Sequence, residues 1–124
     1  MEIILSSSSS KPIYEQIVSQ IKELIIKGEW KPNDALPSMR KLAKDLHVSI
    51  ITTQRAYEEL AKDGFITIIP AKGAFVSTMN KDFVMEENRR RIQKQLENAC
   101  ELAKQCGITE EELMQTLQLI YKEM

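Results

Sequence analysis

The 124 residues are 43% hydrophobic and 28% charged with a net charge of −1, the balance of a soluble globular chain of one ordinary domain or a small domain with an appendage. No apolar run approaches the roughly 18 residues of a membrane span, and Glu2 followed by "IIL" lacks the basic start and length of a secretory leader, so no membrane is expected and the cytoplasm is the expected compartment. Near-neutral charge also removes the simplest sign of a nucleic-acid partner: residues 1–80 carry ten Lys and Arg against nine Asp and Glu, and residues 81–124 seven against nine.

Cysteine and histidine are scarce. Cys100 and Cys106 stand alone as thiols, too few for a disulfide framework, and His47 is the only histidine, so neither a metal nor a cofactor is expected. No Ser/His/Asp or Cys/His set and no glycine-rich phosphate loop is present, and an enzyme is not expected.

In chain order, residues 1–10 with "SSSSS" read as a flexible N-terminal segment. "KPIYEQIVSQIKELIIKGEW" places Ile13, Ile17, Ile21, Leu24 and Ile25 on one helical stripe, closed by Gly28. "KPNDALPS" is a turn-rich connector in which Asn33 is the expected left-handed residue. Ser38 caps a second helix with Met39, Leu42, Ala43 and Leu46 inward, and Ser49 caps a third that runs to Asp63 before Gly64. "FITIIPAKGAFVS" reads as two short strands about a Pro-Ala-Lys-Gly turn. Residues 82 to about 105 form a long amphipathic helix. Thr109 with Glu112 forms a capping box that opens another.

Three short helices and a hairpin suggest a winged helix-turn-helix over 11–78, in a mainly α chain whose remaining residues, 79–124, form two helices. This organisation gives a reason for "VSIITTQRAYEEL", where Ile50, Ile51, Thr52 and Thr53 are four β-branched residues in a row, poor material for starting a helix. The second helix of a helix-turn-helix enters the major groove with its first residues toward the bases. Ile50, Ile51 and Thr52 suit such a tip, through thymine methyl contacts and a hydroxyl, while Thr53, Ala56 and Leu60 face the core. Gln54 could pair with adenine and Arg55 could reach a phosphate. Arg40, Lys41, Lys44 and the amide end at Ser38 could follow the backbone of duplex DNA. "RRR" at 89–91 reads as a solvated face pairing with Glu86 and Glu87, Trp30 and Tyr57 as packing residues, and His47 as a surface residue of the turn.

The blocks "PIYEQI" with Ile21 and Gly28, "LPSMRKLAKDLHVS", "AYEELAKDGFI" and "KGAFV" resemble the GntR family of bacterial transcriptional regulators across nearly all of residues 11–78. The short C-terminal extension resembles its YtrA-type subfamily. The resemblance implies a winged-helix homodimer on a palindromic operator, usually a repressor, often of an ABC-transporter operon. It assigns Arg40 to DNA, Ser49, Ile50, Ile51, Thr52 and Gln54 to the groove, and Lys72 with Gly73 to the wing tip. Three positions depart from the family pattern: Asn33 replaces a glycine, Ile50 a polar or basic residue, and Ala71 the first glycine of a Gly-x-Gly wing.

The C-terminal helices carry stripes at Val84, Ile92, Leu96, Ala99 and Ala103, and at Leu113, Leu117 and Ile120, which need a partner and are expected to form the dimer interface. That would set two reading helices about 34 Å apart on a pseudo-palindrome. A separate effector domain is not expected; a small-molecule effector acting on the separation of the reading helices stays open. The alternative to a DNA binder is a winged-helix protein–protein module.

Overall fold

The computed structural model describes residues 3–79 and 81–124; Met1, Glu2 and Asn80 lie outside them. The elements run α1 (Ile13–Ile26), α2 (Met39–Leu46), α3 (Ile50–Lys62), β1 (Ile66–Ile69), β2 (Gly73–Val76), α4 (Lys81–Cys106) and α5 (Glu110–Glu123). They fall into two compact units, Met1–Asn80 and Lys81–Met124.

In the first unit, α1 begins at Pro12, whose missing N–H is one of the donors a helix start leaves unpaired anyway. Ile17, Ile21 and Ile25 of its stripe are buried together with Val18, and Ile13 and Leu24 are half-buried at its edges. Each fully buried aliphatic side chain contributes about 1.5–3 kcal/mol. Helix α2 starts where the Ser38 hydroxyl accepts the Lys41 amide at 3.0 Å, and buries Leu42 and Ala43. Helix α3 starts where the Ser49 hydroxyl accepts the Thr52 amide at 3.1 Å. Its buried residues are Thr53, Ala56, Tyr57 and Leu60, one stripe at helical spacing, which packs against both α1 and α2. Phe65, Ile66, Ala74 and Val76 complete the core from the hairpin.

The wing is a two-stranded antiparallel hairpin with Ile66 opposite Val76 and Ile69 opposite Gly73. Its turn has Pro70 and Ala71 at the central positions, a Lys72 N–H donating to the Ile69 carbonyl at 3.0 Å, and φ +66° at Ala71, the pattern of a type II turn. The connector is more ordered than its composition suggests. Ala35 pairs with Phe75, and the Asn33, Leu36 and Val76 amides donate to the Val76, Ala74 and Asp34 carbonyls at 2.8 Å each. Asn33 takes the left-handed conformation expected of it, at φ +71°.

The N-terminal segment hydrogen-bonds to α1. Ile4 exchanges two hydrogen bonds with the Gln20 amide, at 2.8 and 2.6 Å, and Ser6 two with Gln16, at 2.8 and 2.9 Å. Residues four apart on a helix rise about 6.0 Å and alternate residues of an extended chain about 6.7 Å, so two glutamines on one face of α1 can pair with successive outward peptide groups.

In the second unit, α4 turns at Gly107, φ +77°, into α5, which opens with the Thr109–Glu112 capping box. Ala103 is the buried residue of α4, its carbonyl accepting the Ile108 amide at 2.8 Å. No helix among the described residues is long and apolar enough to cross a membrane.

His47 ends α2 in the left-handed region, φ +57°, a conformation that an L side chain adopts at a cost of about 1 kcal/mol. His47→Gly is therefore expected to raise the urea midpoint slightly, by a net gain of up to about 0.5 kcal/mol after glycine's extra unfolded entropy of about 0.5–1 kcal/mol. Tyr57 is buried and its hydroxyl donates to the Pro37 carbonyl at 2.7 Å. Tyr57→Phe leaves that carbonyl unpaired and is expected to destabilise by about 1–2 kcal/mol. Burial also pushes the Tyr57 phenol well above its ordinary value. The unfolded chain therefore releases this proton first, so stability is intact below about pH 10 and falls as pH rises past it. Urea titrations from pH 8 to 11 are expected to show a smaller alkaline loss in Tyr57→Phe than in the wild type.

Candidate nucleic-acid interface

The rotational setting of α3 decides what this surface offers. With Thr53, Ala56, Tyr57 and Leu60 turned inward, the 100° step per residue leaves Ile51 opposite the core, Gln54 on the outer flank and Ile50 at the edge of the buried stripe. Ile51 is 76% exposed and Ile50 42%. The β-branched run thus divides by task. Thr53 is fully buried, its hydroxyl 2.9 Å from the Ile50 carbonyl and 3.0 Å from the Met39 carbonyl, which ties the first turn of α3 to the start of α2. The Thr52 hydroxyl is half-buried and 2.8 Å from the Ser49 hydroxyl, so both are engaged in the cap. Ile51 stands largely in solvent, while Ile50 is partly covered at the edge of the buried stripe.

The polar residues around this tip are arranged unevenly. The Gln54 amide donates to Glu58 at 3.2 Å, leaving its carbonyl oxygen as the outward acceptor. Arg40 is exposed one residue into α2, beside the Ser38 cap. Lys41 is paired with Asp45 at 2.9 Å, so its charge is partly neutralised; Lys44 is exposed. Arg55 lies with its guanidinium 3.8 Å from the centre of the Tyr14 ring on α1 and donates to the Tyr14 hydroxyl at 3.2 Å. Among the described residues no carboxylate lies within 4.0 Å of Arg40, Arg55 or Lys72, whereas Lys22 and Lys27 pair with Asp63 and Glu23.

The wing approaches the start of α2. A groove of about 390 Å³ lies between them, lined by Ser38 and Met39 on one side and by Ile69, Pro70, Lys72 and Gly73 on the other. Tyr57 reaches the base of this groove and fixes its connector wall through Pro37. The structure therefore brings Ser38, Lys72 and Gly73 together, with Arg40 on the following turn. Ala71 and Gly73 both take positive φ, +66° and +123°, so alanine at the first position adopts the left-handed backbone this turn requires.

The other predicted residues lie in the second unit. Ile92, Leu96, Ala99, Leu117 and Ile120 are exposed, and Val84 and Leu113 half-buried. Ala103 departs from the expected stripe: it is buried within its own chain, where α4 turns toward α5. Arg90 pairs with Glu87 at 3.0 Å and Arg91 donates to Asn88 at 3.3 Å, so the arginine run is engaged along its own helix, through Glu87 rather than Glu86. Cys100 and Cys106 are free and exposed. Sequence reasoning missed Tyr14, whose role depends on a contact 41 residues away.

Comparison with known proteins agrees with this geometry. Residues 13–76 match the family described as bacterial regulatory proteins, gntR family. The chain is 38% identical over 111 residues to the HTH-type transcriptional repressor YtrA of Bacillus subtilis (strain 168), spanning 90% of this chain and 85% of that one. A GntR family transcriptional regulator from Listeria monocytogenes superposes with a TM-score of 0.74 at 31% identity, over 90% of this chain and 96% of the other. AraR(DBD) in complex with operator ORX1 superposes with a TM-score of 0.56 at 25% identity, over 62% and 96%. The chain belongs to the GntR family and is a DNA-binding transcriptional regulator of the winged helix-turn-helix type, not an enzyme.

Proposed function

We propose that the protein is a homodimeric repressor that reads a pseudo-palindromic operator with α3 and holds the flanking backbone with α2 and the wing. One observation carries the reading: Ile51, with Ile50 partly exposed beside it, projects into solvent from the capped start of a helix whose opposite stripe of Thr53, Ala56, Tyr57 and Leu60 is buried. Apolar side chains held there match thymine methyl groups in the major groove, and Gln54 offers an acceptor and a donor to adenine. Ser38, Arg40, Ser49, Thr52 and Arg55 supply backbone contacts, and Lys72 with Gly73 places a charge at the wing tip.

The dimer is the part of the proposal supported by α4 and α5. Their stripes at Ile92, Leu96 and Ala99, and at Leu117 and Ile120, are exposed in the single chain, which a second copy would cover. Similarity to the repressor YtrA supports repression, and the resemblance to that subfamily makes an ABC-transporter or similar operon the proposed target. A small-molecule effector is compatible with this reading, and no residue assigns one.

Selection of bound sequences from a random duplex library supplies the operator. On that duplex log Kobs is expected to fall linearly with log salt, at a slope of about −0.9 per neutralised phosphate; a protein-only module would bind no duplex at any salt. Gln54→Ala is expected to relax preference at one base pair per half-site by about 1–3 kcal/mol, whereas Lys72→Ala weakens all sequences alike and lowers the slope by about one. Uniform loss across operator variants for both substitutions would refute the roles given them. Sedimentation of Leu96→Glu/Leu117→Glu is expected to show a monomer where the wild type is a dimer.

A further inference from the structure

The geometry points to Tyr14 as a positioning residue for DNA binding: it holds Arg55 stacked and extended so that the guanidinium meets a phosphate at the wall of the groove that α3 enters. The inference rests on the DNA-binding reading and adds to it a residue of α1, outside the helix-turn-helix.

Arg55 has carboxylates at the usual helical spacings, Glu58 three residues on and Glu59 four. It uses neither. Glu58 accepts from Gln54 instead, and the Arg55 guanidinium lies on the Tyr14 ring, 3.8 Å from its centre. Tyr14 is itself held: half-buried on the first turn of α1, its hydroxyl accepts from Arg55 at 3.2 Å and donates to Glu15 at 3.3 Å. Stacking occupies the flat face of the guanidinium and one N–H, and leaves its remaining N–H groups without a protein acceptor among the described residues. That is an arginine kept charged, exposed and short of hydrogen-bond partners.

Its place on α3 gives the ligand. Arg55 follows Ile51 by four residues, so it sits on the same face about one turn, about 6.0 Å, behind the most exposed apolar residue of the tip. When Ile51 reaches a base edge, a side chain one turn back on that face stands at the groove wall, where phosphates are. A free arginine loses rotamer freedom on making such a contact; one already pinned against an aromatic ring loses less, and the planar fork is presented ready for two phosphate oxygens. The ring contributes order, and the arginine contributes charge.

The test is a double-mutant cycle on the tightest duplex recovered by the wild-type protein from a random library, read by fluorescence anisotropy at several salt concentrations. Arg55→Ala is expected to lower the magnitude of the log–log salt slope by about one. Tyr14→Leu is expected to weaken binding by about three- to five-fold in the wild-type background, the size of a lost exposed cation–π contact. In the Arg55→Ala background the same change is expected to have no effect. Tyr14→Phe keeps the ring and is expected to restore binding to within about two-fold, since stacking rather than the hydroxyl holds the guanidinium. Equal losses from Tyr14→Leu in both backgrounds, or an unchanged slope in Arg55→Ala, overturn the inference while leaving the DNA reading intact. Failure of the wild type to bind any duplex overturns the reading beneath it.

Discussion

The surface proposed to meet DNA depends on the anchoring of α3 by Thr53, Ala56, Tyr57 and Leu60. Each of the four is buried to within one percent of completely, so rotating the helix by a single residue toward Arg55 would expose Tyr57 and Leu60 and turn Thr52, Arg55 and Glu59 inward. Such a shift would forfeit several kcal/mol of apolar burial. Nothing on the outer face needs to hold itself in place, because the inner face already does. This is why that outer face can carry side chains chosen for what they meet outside the protein, and why Ile51 remains largely in solvent at the start of a helix.

Two polar contacts extend that anchoring to the neighbouring elements. Thr53 reaches the Met39 carbonyl and Tyr57 the Pro37 carbonyl, so both ends of the Pro37–Met39 stretch are held by the recognition helix. Ser38, the cap of α2, lies between them. The start of α2, the base of the wing groove and the register of α3 therefore move as one piece. A buried hydroxyl bonded to backbone is modest in net stability, yet removing its partner is expensive, and this asymmetry makes such contacts effective at fixing relative position.

Most of the fold was legible in the sequence because its elements are local. The stripes of α1 and α3, the serine caps at 38 and 49, and the capping box at Thr109 are short-range patterns, and the structure places each where the residues indicated. The exposed position of Ile50 and Ile51 was legible too, through a conflict between what the residues prefer and where they stand. What could not be read depended on partners far away in the chain. The connector's pairing with β2 leaves no alternation in "KPNDALPS", since only Leu36 faces the core and the strand signal belongs to Phe75 and its neighbours. The docking of Ile4 and Ser6 depends on two glutamines that look like ordinary surface residues of α1. His47 and Ala71 take left-handed conformations through surrounding turns, with side chains that give no sign of it.

The two units solve the problem of stability differently. The first closes a core from α1, α2, α3 and the hairpin, and its helices are stabilised by what they bury. In the second, α5 has no buried residue among its 14, and α4 buries Ala103 alone. A helix of this length is marginal in water on propensity alone, even with a good cap. In the proposed dimer the missing burial comes from the second copy, so ordering of α4 and α5 and association of two chains become one equilibrium, dependent on protein concentration. A repressor built this way gains more than avidity from its partner. In the proposed dimer the half-site spacing depends on helices whose exposed stripes the second copy covers, so operator geometry and assembly are coupled through the same stripes.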